Sequence, residues 1–274
     1  MTSFTIQANS WTKHSILTGA HMTRFLLFAL STLAACDTAT DCDVEDDTAT
    51  SCSEKGADDA DGGSSDDDAD DDGDGFTNGE ESAAGTNPAY EYSHPYTGGY
   101  NVGFCDSPPV TTGATDTASI VYEGTTYEWP TLALGDVPPN LTYMDQHGEM
   151  VDLYSFCDKH VMILISAGWC GPCRSLAAEV QAIQDTYRDQ NVQIIEMITG
   201  DNSDAVPNQA FLESWASDYG FTDIPVLSIP EPTDYNFPQF LFDNNGSIPS
   251  VYHLNNAMEV ISADEMMHDP GSFL

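Results

Sequence analysis

Residues 165–176 read ISAGWCGPCRSL. Two of the chain's seven cysteines, Cys170 and Cys173, stand three apart with Gly171 and Pro172 between them, directly after an apolar run. A zinc pair, a disulfide staple and a redox centre can all be written with this spacing, so the flanking residues decide. Val161–Ile165 is continuously apolar, as expected of a strand buried on both faces. Pro172–Arg188 carries Leu176, Val180, Ile183 and Tyr187 at helical spacing, and a helix tolerates proline in its first turn. The pair therefore sits where a buried strand turns into a helix.

That position argues against the two inert readings. Cys157 and His160 could complete a Cys3His zinc set, but the intervening strand would hold the two pairs roughly 25 Å apart at opposite ends. A disulfide across four residues closes a very small loop and removes little unfolded-chain entropy, so it is a poor staple. As a reversible pair the arrangement is apt. Free N–H groups and the macrodipole at the helix mouth favour a thiolate on Cys170, and Arg174 adds positive charge. Cys173, one turn on, is close enough to attack a mixed disulfide on Cys170. Trp169 offers a flat apolar face beside the exposed sulfur.

Working outward, Leu141–Asp145 and Met150–Leu153 flank a polar turn at Gln146–Gly148, a hairpin signal. Val192–Ile198 reads as a strand, and Asn208–Tyr219 as a helix with Phe211, Leu212 and Trp215 inward. Pro225–Ile229, Gln239–Phe242 and Ile248–Leu254 read as further strands, and Asn256–Met267 as a last helix. The pattern predicts an α/β domain over 136–274, a central sheet covered by helices.

WCGPC after VMILISAG resembles the thioredoxin superfamily active site. The opening LTYMDQHGEMVDLYSF and the later FPQFLFDNNGSI resemble the TlpA/ResA-like and peroxiredoxin-like branch of that superfamily. The resemblance covers about half the chain. It implies a thioredoxin-like fold with a mixed sheet and an N-terminal hairpin, and catalysis by Cys170, Cys173, Trp169 and a cis-proline at Pro238 preceded by Phe237. It implies no cofactor for the redox chemistry, exported protein thiols and disulfides as substrates, a membrane electron donor, and a monomer. Two departures stand out. Leu164 occupies the place, six residues before Cys170, where thioredoxins bury an acid, leaving Glu196 on the next strand as a candidate. Ala167 and Ile163 occupy the places where a peroxiredoxin-type peroxide reductase, the runner-up reading, has Thr and Pro. A non-catalytic, calcium-dependent surface protein is the third reading.

The N-terminal half is different in kind. The net charge is -39, and 19 acids fall between Asp37 and Glu81, which disfavours nucleic acid or an anionic membrane as partner. Met22–Cys36, MTRFLLFALSTLAAC, is too short to span a bilayer but suits a signal peptide. It resembles a bacterial lipoprotein signal in which Cys36 is acylated, with Met22 as a possible true start. That places the protein outside the cytoplasm, lipid-anchored to a bacterial membrane on its periplasmic side or at the cell surface. Six cysteines then remain for an oxidising compartment, with Cys42–Cys52 and Cys170–Cys173 favoured by proximity and Cys105–Cys157 by elimination. Residues 1–36 are read as signal, 37–88 as an acidic disordered linker and 89–135 as a Tyr/Gly/Pro-rich connector with short strands. Within the linker Asp70, Asp72, Asp74, Phe76, Asn78 and Glu81 satisfy a twelve-residue calcium loop, with Gly75 at the sharp turn. The continuation EESAAGTNP resembles the thrombospondin type 3-like calcium repeats of secreted bacterial proteins.

Overall fold

Residues 66–122, 124–229, 242, 247–263 and 269–274 are described by a computed structural model of the chain. Cys36, Cys42, Cys52, Phe237 and Pro238 lie outside them, as does the proposed strand 239–242 apart from Phe242.

The first helix, α1 (Asn78–Ala84), begins at a capping box. Thr77 accepts from the Glu80 N–H while the Glu80 carboxylate accepts from Thr77, and Gly85 ends the helix at φ 82°. A long hairpin follows, β1 (Asp116–Tyr122) antiparallel to β2 (Thr125–Thr131). A shorter one joins β3 (Thr142–Met144) to β4 (Met150–Asp152). Asp145 closes that turn, its Oδ1 accepting from the N–H groups of His147 and Glu149 at 2.8 and 2.9 Å.

The main sheet is built on β5 (His160–Ser166). Next come α2 (Gly171–Tyr187), β6 (Val192–Ile198), α3 (Gln209–Tyr219), β7 (Val226–Ser228), β8 (Ser250–Leu254) and β9 (Val260–Ser262). The strand order is β7-β6-β5-β8-β9. β5, β6 and β7 run parallel, whereas β8 and β9 are antiparallel, which makes the sheet mixed. β5 occupies the centre because it has no polar face to offer water. Val161, Ile163 and Ile165 join one core with Phe156, Ile195 and Met197, while Met162 and Leu164 join another with Leu176, Val180, Ile194 and Leu212. The second core lies under α2 and α3. Asn208 caps α3 by accepting from the Phe211 N–H, and Gly220 ends it at φ 71°.

Three sequence readings need restating. The stretch expected to be disordered is ordered from residue 66 onward, with α1 inside it. Residues 89–105, read as a connector, pack into the core. Tyr90, Tyr96 and Tyr100 are buried in the first core, with hydroxyls bonded to the Tyr154 carbonyl, the Ser155 hydroxyl and Asp145 Oδ2. Gly103 donates to the Ser155 carbonyl at 2.7 Å and lies so close that a Cβ there would overlap the Cys157 carbonyl. Cys105 and Cys157 are disulfide-bonded just beyond. All described residues belong to one compact unit, Asp59–Leu274. Thirdly, the start of the expected helix 256–267 is a turn leading into β9. Asn255 Oδ1 accepts from the N–H groups of Ala257 and Glu259, both at 2.9 Å, a local bond that competes with the helical ladder.

The Cys105–Cys157 bridge spans 52 residues. The loop-entropy relation puts its removal at about 4 kcal/mol as an upper bound. The double variant Cys105→Ala/Cys157→Ala is expected to keep its far-ultraviolet circular dichroism but lose several kcal/mol in urea denaturation. A loss under about 1 kcal/mol would mean that buried tyrosines alone hold residues 89–105.

Candidate active site

The site is assembled where β5 ends. The loops after β5 and β6 are locked together: Gly168 donates to the Gly200 carbonyl at 2.7 Å, and Thr199 donates to the Ser166 carbonyl at 2.8 Å. A Cβ on Gly168 would meet Phe211 at 2.7 Å and the Asp201–Asn202 backbone at 2.8 Å, so only glycine fits. Arg174 reaches back from α2 to the Gly168 carbonyl (Nε, 2.6 Å) and to the Asn202 side chain.

On this base Cys170 is the N-cap of α2, with Pro172 in the first turn. Its sulfur accepts from the Cys173 N–H at 3.2 Å, the position in which a thiolate would be stabilised by the helix terminus. Cys170 and Cys173 are joined as a disulfide. Cys173 is fully buried and Cys170 is 4% exposed, so Cys170 is the sulfur that an incoming group meets. Trp169 stands beside it half in solvent, its indole N–H donating to Asp204 Oδ1 at 2.7 Å. Ala167, Cys170 and Cys173 form a small apolar cluster closed by Ile248.

The sequence missed the residue facing the sulfurs. Pro238 falls outside the described residues, whereas Ile248–Pro249 is a cis peptide and the Ile248 carbonyl lies 3.8 Å from Cys170 Sγ. Among the described residues, Ile248 and Pro249 hold the place facing Cys170. The signal was present in SIPSVYHL, a proline directly before the strand β8 that pairs with β5. The Asn202–Asp204 contacts with Arg174 and Trp169 left no trace in sequence spacing.

Leu164 is buried among apolar neighbours, and Glu196 is its register partner on β6. Glu196 is completely buried, and neither carboxyl oxygen has a hydrogen-bond partner of normal geometry. Burial pushes its pKa up to about 8, an effect that the nearby Ser166 hydroxyl offsets only in part.

The calcium-type loop is a separate feature. Carboxylate oxygens of Asp70, Asp72 and Asp74 lie within 4.8 Å of one another. Asp70 accepts from the N–H groups of Gly73 and Gly75, which bends the loop around it. Asp72 Oδ2, Asp74 Oδ2 and both oxygens of the fully buried Glu81 have no hydrogen-bond partner. Burial, then the charges of Asp74, Asp72 and Asp70, push the Glu81 carboxyl up to about 7. Orphaned, mutually repelling oxygens are the donor set that a hard divalent cation satisfies, so these residues fit calcium. Asn78 Oδ1 instead accepts from the Asp71 N–H, and the Phe76 ring stacks on His94 at 5.2 Å.

Comparison with known proteins gives three kinds of likeness. The AhpC/TSA family profile matches residues 134–274, and the bacterial TSP3 repeat profile matches residues 70–89. The thiol-disulfide oxidoreductase ResA of Bacillus thuringiensis subsp. konkukian is 26% identical over 135 residues, 47% of this chain and 74% of its own. Thioredoxin 1 of Synechococcus elongatus is 38% identical over 69 residues, 25% of this chain and 54% of its own. A solved structure titled a putative thiol:disulfide interchange protein DsbE from Chlorobium tepidum has a TM-score of 0.39 at 17% identity, covering 48% of this chain and 84% of that one.

Because the Glu196 pKa lies above its ordinary 4.5, the folded state holds a proton that the unfolded chain has already released between pH 4.5 and about 8. Stability is therefore lost as pH rises through that window. Glu196→Leu is expected to stabilise the oxidised protein more at pH 8 than at pH 5 in urea melts. An equal gain at both values would show that the carboxyl is not the source.

Proposed function

The chain belongs to the AhpC/TSA family, and from that membership we propose that it is a thiol–disulfide oxidoreductase working through Cys170 and Cys173. The observation that carries this reading is the Cys170–Cys173 disulfide at the mouth of α2, with one sulfur reachable and the other buried. In the reduced protein the Cys170 thiolate attacks one sulfur of a substrate disulfide. The S–S bond breaks, one substrate sulfur leaves as a thiolate, and the other is held as a mixed disulfide on Cys170. The Cys173 thiolate then attacks Cys170 Sγ and expels the second substrate thiolate. Two electrons have passed to the substrate, and the Cys170–Cys173 disulfide is restored. Trp169 and the Ile248 carbonyl flank Cys170 and would border a bound peptide.

Peroxide reduction through a lone peroxidatic cysteine is the weaker reading. Cys170 has its partner within the same helical turn, and Ala167 stands where that chemistry uses a threonine hydroxyl. The relatives named for thiol–disulfide exchange support reduction or isomerisation of protein disulfides. The lipobox-like residues ending at Cys36 support export and acylation, hence a lipid-anchored enzyme acting on exported proteins and re-reduced by a membrane donor. The loop at residues 70–81 is read as a calcium site, supported by its orphaned oxygens and the TSP3 repeat match.

Three outcomes are expected. With dithiothreitol the reduced protein accelerates insulin reduction, and Cys170→Ser lowers the rate to the uncatalysed level; undiminished activity in that variant would end the dithiol mechanism. Calorimetry of the whole chain shows one calcium bound at millimolar affinity or better, lost in Asp74→Ala and Glu81→Ala; equal, loose uptake by all three would reduce the tract to a polyanion. Mass spectrometry of the mature protein from a bacterial host shows acylated Cys36 at the N-terminus, whereas an unprocessed Met1 start would exclude the anchor.

A further inference from the structure

A completely buried carboxyl with two unpartnered oxygens is costly, and the Ser166 hydroxyl offsets that cost only in part. Its place is specific. Glu196 lies between Ile194 and Ile198, both of which face the core beneath α2 and α3. Gln184 fixes the register of α2 against β6: its Nε2 donates to the Val192 carbonyl at 3.1 Å and its Oε1 accepts from the Ile194 N–H at 2.7 Å. α2 runs antiparallel to β6, so stepping back along the helix from Gln184 follows the strand as it advances toward the active site. At about 3.3 Å per strand residue and 1.5 Å per helix residue, Glu196 lies beneath Ala177–Val180. Ser166, whose hydroxyl acts on the carboxyl, pairs with Ile198, one step nearer the active site. By the same spacing that step, about 7 Å or four helix residues, puts Ser166 and Ile198 at the level of Cys173, and the Glu196 side chain reaches toward that level from below. Above Glu196 the helix presents Ala177, whose small side chain leaves space, while Cys173, Leu176 and Val180 are the other buried positions on that stripe.

We propose that Glu196 is the proton acceptor of the Cys173 thiol, acting from β6 in place of the acid that Leu164 does not provide on β5. This rests on the dithiol reading above. During resolution the Cys173 thiol gives its proton to the Glu196 carboxylate. The resulting thiolate forms a bond to Cys170 Sγ, and the Cys170–substrate S–S bond breaks with its electron pair leaving on the substrate sulfur. Glu196 is left as the neutral acid and later returns the proton to solvent or to the departing thiolate. A buried acid with a raised pKa suits this exchange, because it holds and releases a proton near the pH at which a thiol does. The groups facing it are few. β5 supplies Leu164 and the Ser166 hydroxyl, β7 supplies Val226, α2 supplies the level of Ala177 with Cys173 one turn nearer the active site, and α3 supplies Tyr219, which feels the Glu196 charge from a site it shares with Arg174.

The test uses the full chain with Cys170 loaded as a mixed disulfide with 5-thio-2-nitrobenzoate, whose release by Cys173 is read by absorbance. In Glu196→Gln, loading of Cys170 is expected to proceed within about twofold of wild type. Release slows at least tenfold at pH 7, and the gap closes near pH 10, where the thiol ionises unaided. Adding Leu164→Asp to Glu196→Gln restores release by returning a carboxyl to the neighbouring strand. A release rate and pH profile unchanged in Glu196→Gln would overturn the proposal, as would slowing by the same factor at every pH, the mark of a merely structural role. A second measurement needs no variant to fold. With carbon-13 glutamate in the wild-type chain, the Glu196 carboxyl is expected to titrate at different midpoints in the oxidised and reduced proteins, because the two acids are coupled. Coincident midpoints would sink the idea. Failure of the insulin assay with nitrobenzoate release intact would count against the protein-disulfide reading and leave this one standing.

Discussion

A strand without a polar face can be stable only in the middle of a sheet, and β5 is such a strand. Everything at the site follows from that burial. With both faces covered, β5 cannot slip or tilt, so its C-terminal end is the most rigid point from which a loop can depart. The dithiol hangs from that point. Gly168 then lets the loop after β6 close against it, and α2 starts within four residues. The chemistry needs a sulfur that is held still yet reachable, and the central strand supplies the stillness.

How much of this could be read from the chain depended on how local the cause was. The β5–α2 junction was legible because period, proline placement and cysteine spacing all act within a dozen residues. The hairpin at β3–β4 and both long helices were legible for the same reason. The Ile248–Pro249 segment was not, because only the pairing of β8 with β5 brings it to the dithiol. Residues 89–105 hid for a related reason. Tyrosines in irregular backbone have no periodicity, yet Tyr90, Tyr96 and Tyr100 are all buried in the first core. The expected last helix yielded to one asparagine, Asn255, whose side chain satisfied the backbone locally.

In a chain so rich in acids, charge alone says little about purpose. Among the described acids, Glu81 and Glu196 are completely buried with both carboxyl oxygens unpartnered. Surface carboxylates cost nothing to keep, whereas a buried orphan is destabilising and persists only where something compensates for it. Glu81 has three neighbouring carboxylates, a set that fits a cation. Glu196 has an apolar surround with the Ser166 hydroxyl close by. The same side chain thus sits in two different environments, distinguished by what else is within reach.

The stacking of Phe76 on His94 continues through His94–Tyr96 and Tyr96–Tyr100 ring contacts to the Asp145 carboxylate that closes the β3–β4 turn. Described earlier as packing, this chain of rings is also a matter of polymer length. Residues 66–105, fully extended, could span up to about 130 Å. Folded back along the aromatic series, they cover far less than that. Were the chain anchored as proposed, this fold-back would shorten the leash of the catalytic domain and raise its encounter rate with partners on the same surface, since effective concentration falls steeply as a flexible linker lengthens. The tyrosines around His94 would then set a radius of action as well as complete a core.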